Sequence, residues 1–169
     1  LYRGLRLPTK LLTLLVTTKR KAGCREEYMS REYPDYPMVG VGVVVWKDNA
    51  VLLIQRGKPP RAGTWSLPGG RQELGETTRE AGVREVREET GLEVDIKDLI
   101  DVVDTIHRDD EGRVRMQYTL VDYWAEWVSG EPVAVTDAAD ARWVDPADLP
   151  AYNLWDETLR IIDLSAKAR

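Results

Sequence analysis

Short apolar runs punctuated by turn residues divide most of the chain into predictable elements. Pro34 to Pro37 is an entry loop, and Met38 to Trp46 is almost continuously apolar and β-branched, the pattern of a strand buried on both faces. Lys47-Asp48-Asn49 turns the chain, and Ala50 to Gln55 returns as a second strand. Trp65-Ser66-Leu67 opens a short strand that turns through Pro68-Gly69-Gly70. The period then becomes helical, with Thr77 or Thr78 as the cap and Gly91 at the position that stops a helix. Leu92 to Ile96 alternates as the next strand. Leu99 to His107 and Val114 to Trp127 are long strands joined by the turn Asp109-Asp110-Glu111-Gly112, and Ser129-Gly130-Glu131-Pro132 ends that meander. Ala141 to Val144 is a strand, Asp145 to Pro150 a loop, and Trp155 to Lys167 an amphipathic closing helix. Strands alternating with helices in this way predict an α/β fold.

One helix carries an unusual charge pattern. Glu85, Glu88 and Glu89 stand at i, i+3 and i+4, which places them on an arc of roughly 100° on one face. Val83, Val86 and Thr90 lie on a different arc, so the helix can pack one side while its carboxylates face an opening. Like charges at this spacing repel. A cation between them reverses the sign, and hard divalent ions such as Mg²⁺ favour oxygen ligands of this kind together with phosphates. Arg84 stands four residues before Glu88, where it can pair with it. Gly69-Gly70 lets the backbone come close to the helix, because neither residue carries a Cβ.

The spacing around this helix is more specific than its charge. From Gly70 the chain reads five residues, Glu76, seven residues, then Arg84-Glu85-Val86-x-Glu88-Glu89-x-Gly91-Leu92. This resembles the Nudix box, G-x5-E-x7-R-E-U-x-E-E-x-G-U with U apolar, at every fixed position. The G-x-W-x-L-P-G-G entry, the hairpin ending at Arg56 and the closing R-W-V…L-P segment also resemble Nudix hydrolases, over roughly residues 38 to 165. The resemblance implies an α/β/α sandwich with a mixed β-sheet. It implies that the Gly69 carbonyl, Glu85 and Glu89 bind Mg²⁺ or Mn²⁺, with Glu88 a further ligand or the water-activating base. Arg84 belongs with Glu85 and Glu88 in the implied catalytic group. Gly70, Glu76 and Gly91 are the supporting box residues, Glu76 bracing the loop and helix.

Composition narrows the classes. The chain has 169 residues and a net charge of −5, so the molecule as a whole offers no nucleic-acid footprint. The single cysteine, Cys24, excludes an internal disulfide framework and fits a reducing cytoplasm. The single histidine, His107, excludes a His-based zinc site and reads as an ordinary strand residue. Residues 1 to 28 hold seven basic and two acidic side chains, while the rest holds 17 and 27. Residues 1–33 are expected to form a basic extension and residues 34–169 a single Nudix domain. The run Leu11-Leu12-Thr13-Leu14-Leu15-Val16 is too short to span a bilayer, and Lys21 stands where a lipidation signal at Cys24 needs an apolar residue. Met29 heads a sequence that reads like an ordinary start.

The implied reaction is metal-dependent hydrolysis of the pyrophosphate bond of a nucleoside diphosphate linked to a further group X. Neither a proline nor a tyrosine marks a substrate branch soon after the box, the next being Pro132 and Tyr118. The entry and closing segments lean toward ADP-ribose or a related nucleotide sugar. The alternatives are a (d)NTP pyrophosphohydrolase of the nucleotide-pool-sanitising type and, in another class, a non-catalytic nucleotide-sensing Nudix domain. The partner expected is a small nucleotide, with no nucleic acid or membrane, and the family allows a homodimer. Arg56 is a candidate for contacting phosphate and Asp140 for the substrate side. Asp137, Asp109, Asp110 and Glu111 are further candidates for an acid supplied from outside the box. Trp65 reads as core, while Tyr118, Tyr123, Trp124 and Trp127 can either pack or stack on a base.

Overall fold

The computed structural model describes residues 32–59 and 61–169. The basic stretch at 1–28, Cys24, Met29 and most of the expected extension therefore lie outside the described residues. Glu32 and Tyr33, on the extension side of the expected boundary, are tied to the body of the protein. The Tyr33 amide donates to the Arg115 carbonyl at 2.7 Å, and Arg115 pairs with Glu32 at 2.6 Å.

The elements in order are β1 (Met38–Lys47), β2 (Ala50–Arg56), β3 (Trp65–Ser66), β4 (Gly69–Arg71), α1 (Thr78–Thr90), β5 (Glu93–Arg108), β6 (Val114–Ser129), β7 (Ala138–Val144), a 3₁₀ turn (Pro146–Tyr152) and α2 (Asp156–Ala168). The strands form one sheet in the order β3-β2-β1-β6-β5, with β7 on β2 and β4 on β1. β1 and β6 run parallel and the other pairs antiparallel, so the sheet is mixed. β2 pairs with β1 only beside the turn, at Trp46↔Val51 and Lys47↔Ala50. Farther along, β3 pairs with Ile54 and Gln55 of β2, and β4 with Gly40 to Gly42 of β1. That split brings Gly69 and Gly70 into the middle of the sheet.

The continuous apolar run of β1 is explained by two cores. Val41, Val43 and Val45 pack with Ala81 and Val86 of α1 and with Leu52, Leu92, Ile96, Tyr123 and Ala125. Val44 and Trp46 face the other way, onto Leu149, Leu154 and Ile161 and Ile162 of α2. Each fully buried Val, Leu or Ile contributes about 1.5–3 kcal/mol relative to its exposed state. The sheet thus lies between two helices, as an α/β/α sandwich requires. Among the described residues no helix is long and apolar enough to cross a membrane.

Three expectations change in detail. The strands expected at 92–96 and 99–107 are one strand, β5, whose pairing with β6 shifts register at Ile96/Asp98 and at Leu99/Asp101. Bulges take up the extra residues, so the polar Lys97-Asp98 interrupts the alternation without ending the strand. The loop expected at 145–150 is a 3₁₀ turn, capped by Asp145, whose carboxylate accepts from the Ala147 amide at 2.9 Å. Of the two threonines, Thr77 is the cap of α1. Its hydroxyl accepts from the Glu80 amide, and Glu80 reaches back to the Thr77 amide at 2.7 Å, a reciprocal capping box. Thr78 is the first helical residue, and its hydroxyl meets Tyr123 Oη at 2.8 Å.

Candidate active site

The β4 turn and the last turns of α1 create the site together. Capped by Thr77 and ended by Gly91 in the left-handed conformation at φ 70°, α1 is pinned at both ends. Its buried face includes Ala81, Gly82, Val86, Glu89 and Thr90, so a carboxylate lies within the packed stripe. Glu89 is only 7% exposed. Its Oε2 accepts from the Gly69 amide at 2.8 Å. Glu85 sits one turn earlier against Gly70, where an added Cβ would stand 2.3 Å from Oε1 and 2.6 Å from Oε2. The missing side chain of Gly70 is therefore the space that the Glu85 carboxylate fills.

Arg84 holds the outer side of this site. Its Nε and Nη2 donate to both oxygens of Glu76 at 3.0 and 2.7 Å, a bidentate pair. Nη1 reaches Glu85 at 2.9 Å and Glu88 at 3.2 Å, and Nη2 also donates to the Arg71 carbonyl at 3.1 Å. One guanidinium thus links the loop after β4, the entry to α1 and two of its glutamates. Glu76 accepts in addition from the Glu73 amide at 2.8 Å. These donors, Arg84 first, hold its carboxyl down at about 2.

The inner carboxylates behave oppositely. Burial pushes Glu89 up to about 7, with Glu85 and Asp137 adding to the rise and the Gly69 amide and Arg56 opposing it. Burial also raises Glu85 above the usual carboxylate range, against the pull of Arg84. Desolvation is thus the main cause for both acids, and Arg84 pairs with only one of them, Glu85. The Nε of Arg56, whose charge Glu89 feels, is buried and has no hydrogen-bond partner. An excess of carboxylate oxygen around a cradle that a Cβ would fill is a donor set suited to a hard divalent cation. In this arrangement Glu85, Glu88 and Glu89 do not converge on one point. Arg84 pairs with the first two, Glu85 seated against Gly70 and Glu88 half exposed, Glu89 turns in to Gly69, and among the described residues no cluster of three potential ligands is assembled.

The outlying candidates separate. Asp137 is felt by Glu89 and pairs with Lys58. Asp140 pairs with Arg142, whose guanidinium lies over the Trp65 ring at 4.7 Å. Asp109, Asp110 and Glu111 cap the far hairpin, where Asp109 holds Arg113 at 2.8 Å and the Tyr33 hydroxyl at 3.1 Å. His107 is exposed on β5. Trp65 packs edge-on against Tyr152 at 5.0 Å on the α2 side of the sheet. The aromatic residues of β6 are divided between faces, Tyr123 and Trp127 in the α1 core and Trp124 in the α2 core, so they make no single stacking platform. Sequence reasoning missed the segment before β7, where Val133, Val135 and Thr136 donate to the carbonyls that end α1. Those bonds go to main-chain atoms some 40 residues away, and they leave no trace in periodicity or motif.

The NUDIX domain model matches residues 36–164. A Methanocaldococcus jannaschii protein named ADP-ribose pyrophosphatase is 41% identical over 115 residues, covering 68% of this chain and 66% of that protein. The human protein named 8-oxo-dGDP phosphatase NUDT18 is 30% identical over 132 residues, 78% of this chain and 39% of its own length. This chain thus spans about two thirds of the first relative and well under half of the second. Among solved structures, a MutT NUDIX hydrolase from Burkholderia pseudomallei superposes with a TM-score of 0.65 at 33% identity, covering 77% of this chain and 98% of that one. With its box unbroken, its sheet held between two helices and the NUDIX model matched over most of its length, the chain belongs to the Nudix hydrolase family.

Proposed function

We propose that this protein hydrolyses the pyrophosphate bond of a nucleoside diphosphate linked to a further group, with ADP-ribose the first substrate to test. The observation that carries this reading is the buried Glu89 and half-buried Glu85 against Gly69 and Gly70, whose carboxyls burial raises. Glu85, Glu89 and the Gly69 carbonyl are the residues that would hold Mg²⁺ or Mn²⁺, with Glu88 as a further ligand or base. The chemistry supplied by such a cation is neutralisation of phosphate charge and acidification of a water. The protein's own share is positioning. Arg84 orients Glu85 and Glu88, the Gly69 amide orients Glu89, and Arg56, whose charge Glu89 feels, is the candidate to meet a phosphate oxygen. Glu88, half exposed on the outer face, is placed to take a proton from an attacking water.

The name carried by the M. jannaschii relative favours ADP-ribose. A second reading, cleavage of oxidised purine nucleotides, is supported by the name of the human relative. Formation of the nucleoside monophosphate from ADP-ribose, a dinucleotide, dGTP and 8-oxo-dGTP, with and without Mg²⁺ or Mn²⁺, tests both. The expected result is metal-dependent cleavage of one compound, reduced at least about a hundredfold in Glu89→Gln. Full activity in Glu89→Gln overturns the site. Tight nucleotide binding without turnover in the presence of metal moves the assignment to the sensing alternative.

A further inference from the structure

A non-glycine residue stands at positive φ between the active-site helix and β7. Thr136 has φ 52°, a left-handed conformation that is rare for a β-branched side chain. The Ala138 amide donates to the Val135 carbonyl at 3.1 Å, so Thr136 is the second residue of a four-residue turn. Turns with positive φ at that place are dominated by Gly, Asn and Asp. Strain of this kind persists only where surrounding contacts hold it.

Three of those contacts lead to the helix that carries the glutamates. The Thr136 hydroxyl donates to the Glu88 carbonyl at 3.0 Å. The Val135 amide donates to the Glu89 carbonyl at 3.0 Å, and the Val133 amide to the Thr90 carbonyl at 3.0 Å. A helix leaves its last carbonyls without intrahelical partners. Here three consecutive ones, two of them belonging to Glu88 and Glu89, are bound by one segment. The same segment holds the other wall of the site. The Gly57 amide donates to the Asp137 carbonyl at 2.7 Å, immediately after Arg56, and the Asp137 carboxylate pairs with Lys58.

We propose that Val133–Asp137 is a positioning strap for catalysis, with Thr136 as the positioning residue that fixes Glu88 and Glu89 of α1 relative to Arg56. The strap binds the Glu88 and Glu89 carbonyls, which the helix itself leaves open beside its Gly91 cap. A strap anchored to the β2–β7 ladder ties that end to the sheet. At φ 52° glycine would relieve the backbone but lose the hydroxyl. This inference rests on the roles given above to Glu88 and Glu89.

The test compares Thr136→Val, Thr136→Ser and Thr136→Gly in the full chain. Each is assayed for kcat, KM and the Mg²⁺ concentration giving half-maximal rate, beside its thermal midpoint. Misplacement of reacting groups by ångström fractions predicts a fall in kcat of roughly ten- to a hundredfold in Thr136→Val, with a higher Mg²⁺ requirement. Thr136→Ser restores the rate. Thr136→Gly keeps or raises the thermal midpoint yet loses activity as Thr136→Val does, a split that a purely structural residue does not show. Rates in Thr136→Val within about twofold of wild type overturn the strap, a margin well inside the tenfold per 1.36 kcal/mol of barrier. Activity losses that merely follow the thermal midpoints across the three variants overturn it as well. Glu89→Gln in the same series tells the two failures apart. If it is inactive while Thr136→Val is normal, only the strap falls, and if it is fully active, both readings fall.

Discussion

Replacing Gly70 by alanine probes the site with one methyl group. The new Cβ would stand 2.3, 2.4 and 2.6 Å from Oε1, Cδ and Oε2 of Glu85, where ordinary contact begins near 3.4 Å. The carboxylate must therefore retreat by about 1 Å, a displacement that costs on the order of a hundredfold in rate when it falls on a reacting or ligating group. The backbone itself accepts alanine, because Gly70 lies outside the left-handed region in which Gly69 and Gly91 sit. Gly→Ala at such a position stabilises by about 0.4–1 kcal/mol through the unfolded chain, which offsets part of the cost of moving Glu85. The thermal midpoint is thus expected to stay within several degrees of wild type. Initial rates at saturating nucleotide, Mg²⁺ titrations and thermal unfolding on the same preparations measure all three quantities. Shortening the acid by a methylene, as Gly70→Ala/Glu85→Asp, should return part of the lost rate. A Gly70→Ala enzyme that is folded and within about threefold of wild type would refute the argument, because the carboxylate then works equally well about 1 Å from its cradle.

Arg84→Lys keeps the charge but cannot serve Glu76 with two parallel N–H groups while also reaching Glu85, Glu88 and the Arg71 carbonyl. Loss of such an orienting partner is expected to lower kcat or metal affinity by roughly 10–100-fold, and a metal titration of the variant that matches wild type would count against it. Asp122 gives a pH dependence unconnected with α1. It is 7% exposed, lies against Gly42, and is pushed up to about 6 by burial, with Glu157 and Asp101 reinforcing the rise and Arg160 opposing it. Its folded value lies above the ordinary 3.8, so the stability it lends is full below about pH 4 and is lost as pH rises through about 6. Asp122→Asn should therefore gain on wild type in urea as pH rises from about 4.5 to 7.5, by at most about 3 kcal/mol, and a gap that does not change with pH would contradict this.

The family and the candidate site were legible in the sequence because they are written in short-range spacing. Glu85, Glu88 and Glu89 share a helix face by the arithmetic of 3.6 residues per turn, and the box spacing fixes Gly70, Glu76 and Arg84 against them. The apolar runs gave both cores for the same reason, since alternation along β1 sends Val43 to one helix and Val44 to the other. Local pattern misled only where neighbours outweighed it. Lys97-Asp98 reads as a break but is carried through β5 by bulges, because β6 continues opposite and supplies the pairing.

Tertiary structure alone decided the state of those acids. Spacing places Glu85 and Glu89 near each other, yet only the insertion of β4 beside β1 puts the Gly69 amide on one and the missing Cβ of Gly70 beside the other. Burial against that turn raises both carboxyls, while Glu76, a few residues earlier, is held low by Arg84. Likewise Thr136 has no motif around it, and its bond to the Glu88 carbonyl spans 48 positions. Helical periodicity is a property of neighbouring residues, so the chain displays it directly. Desolvation and hydrogen bonds to distant main-chain atoms depend on what the fold brings alongside, and only the folded chain defines them.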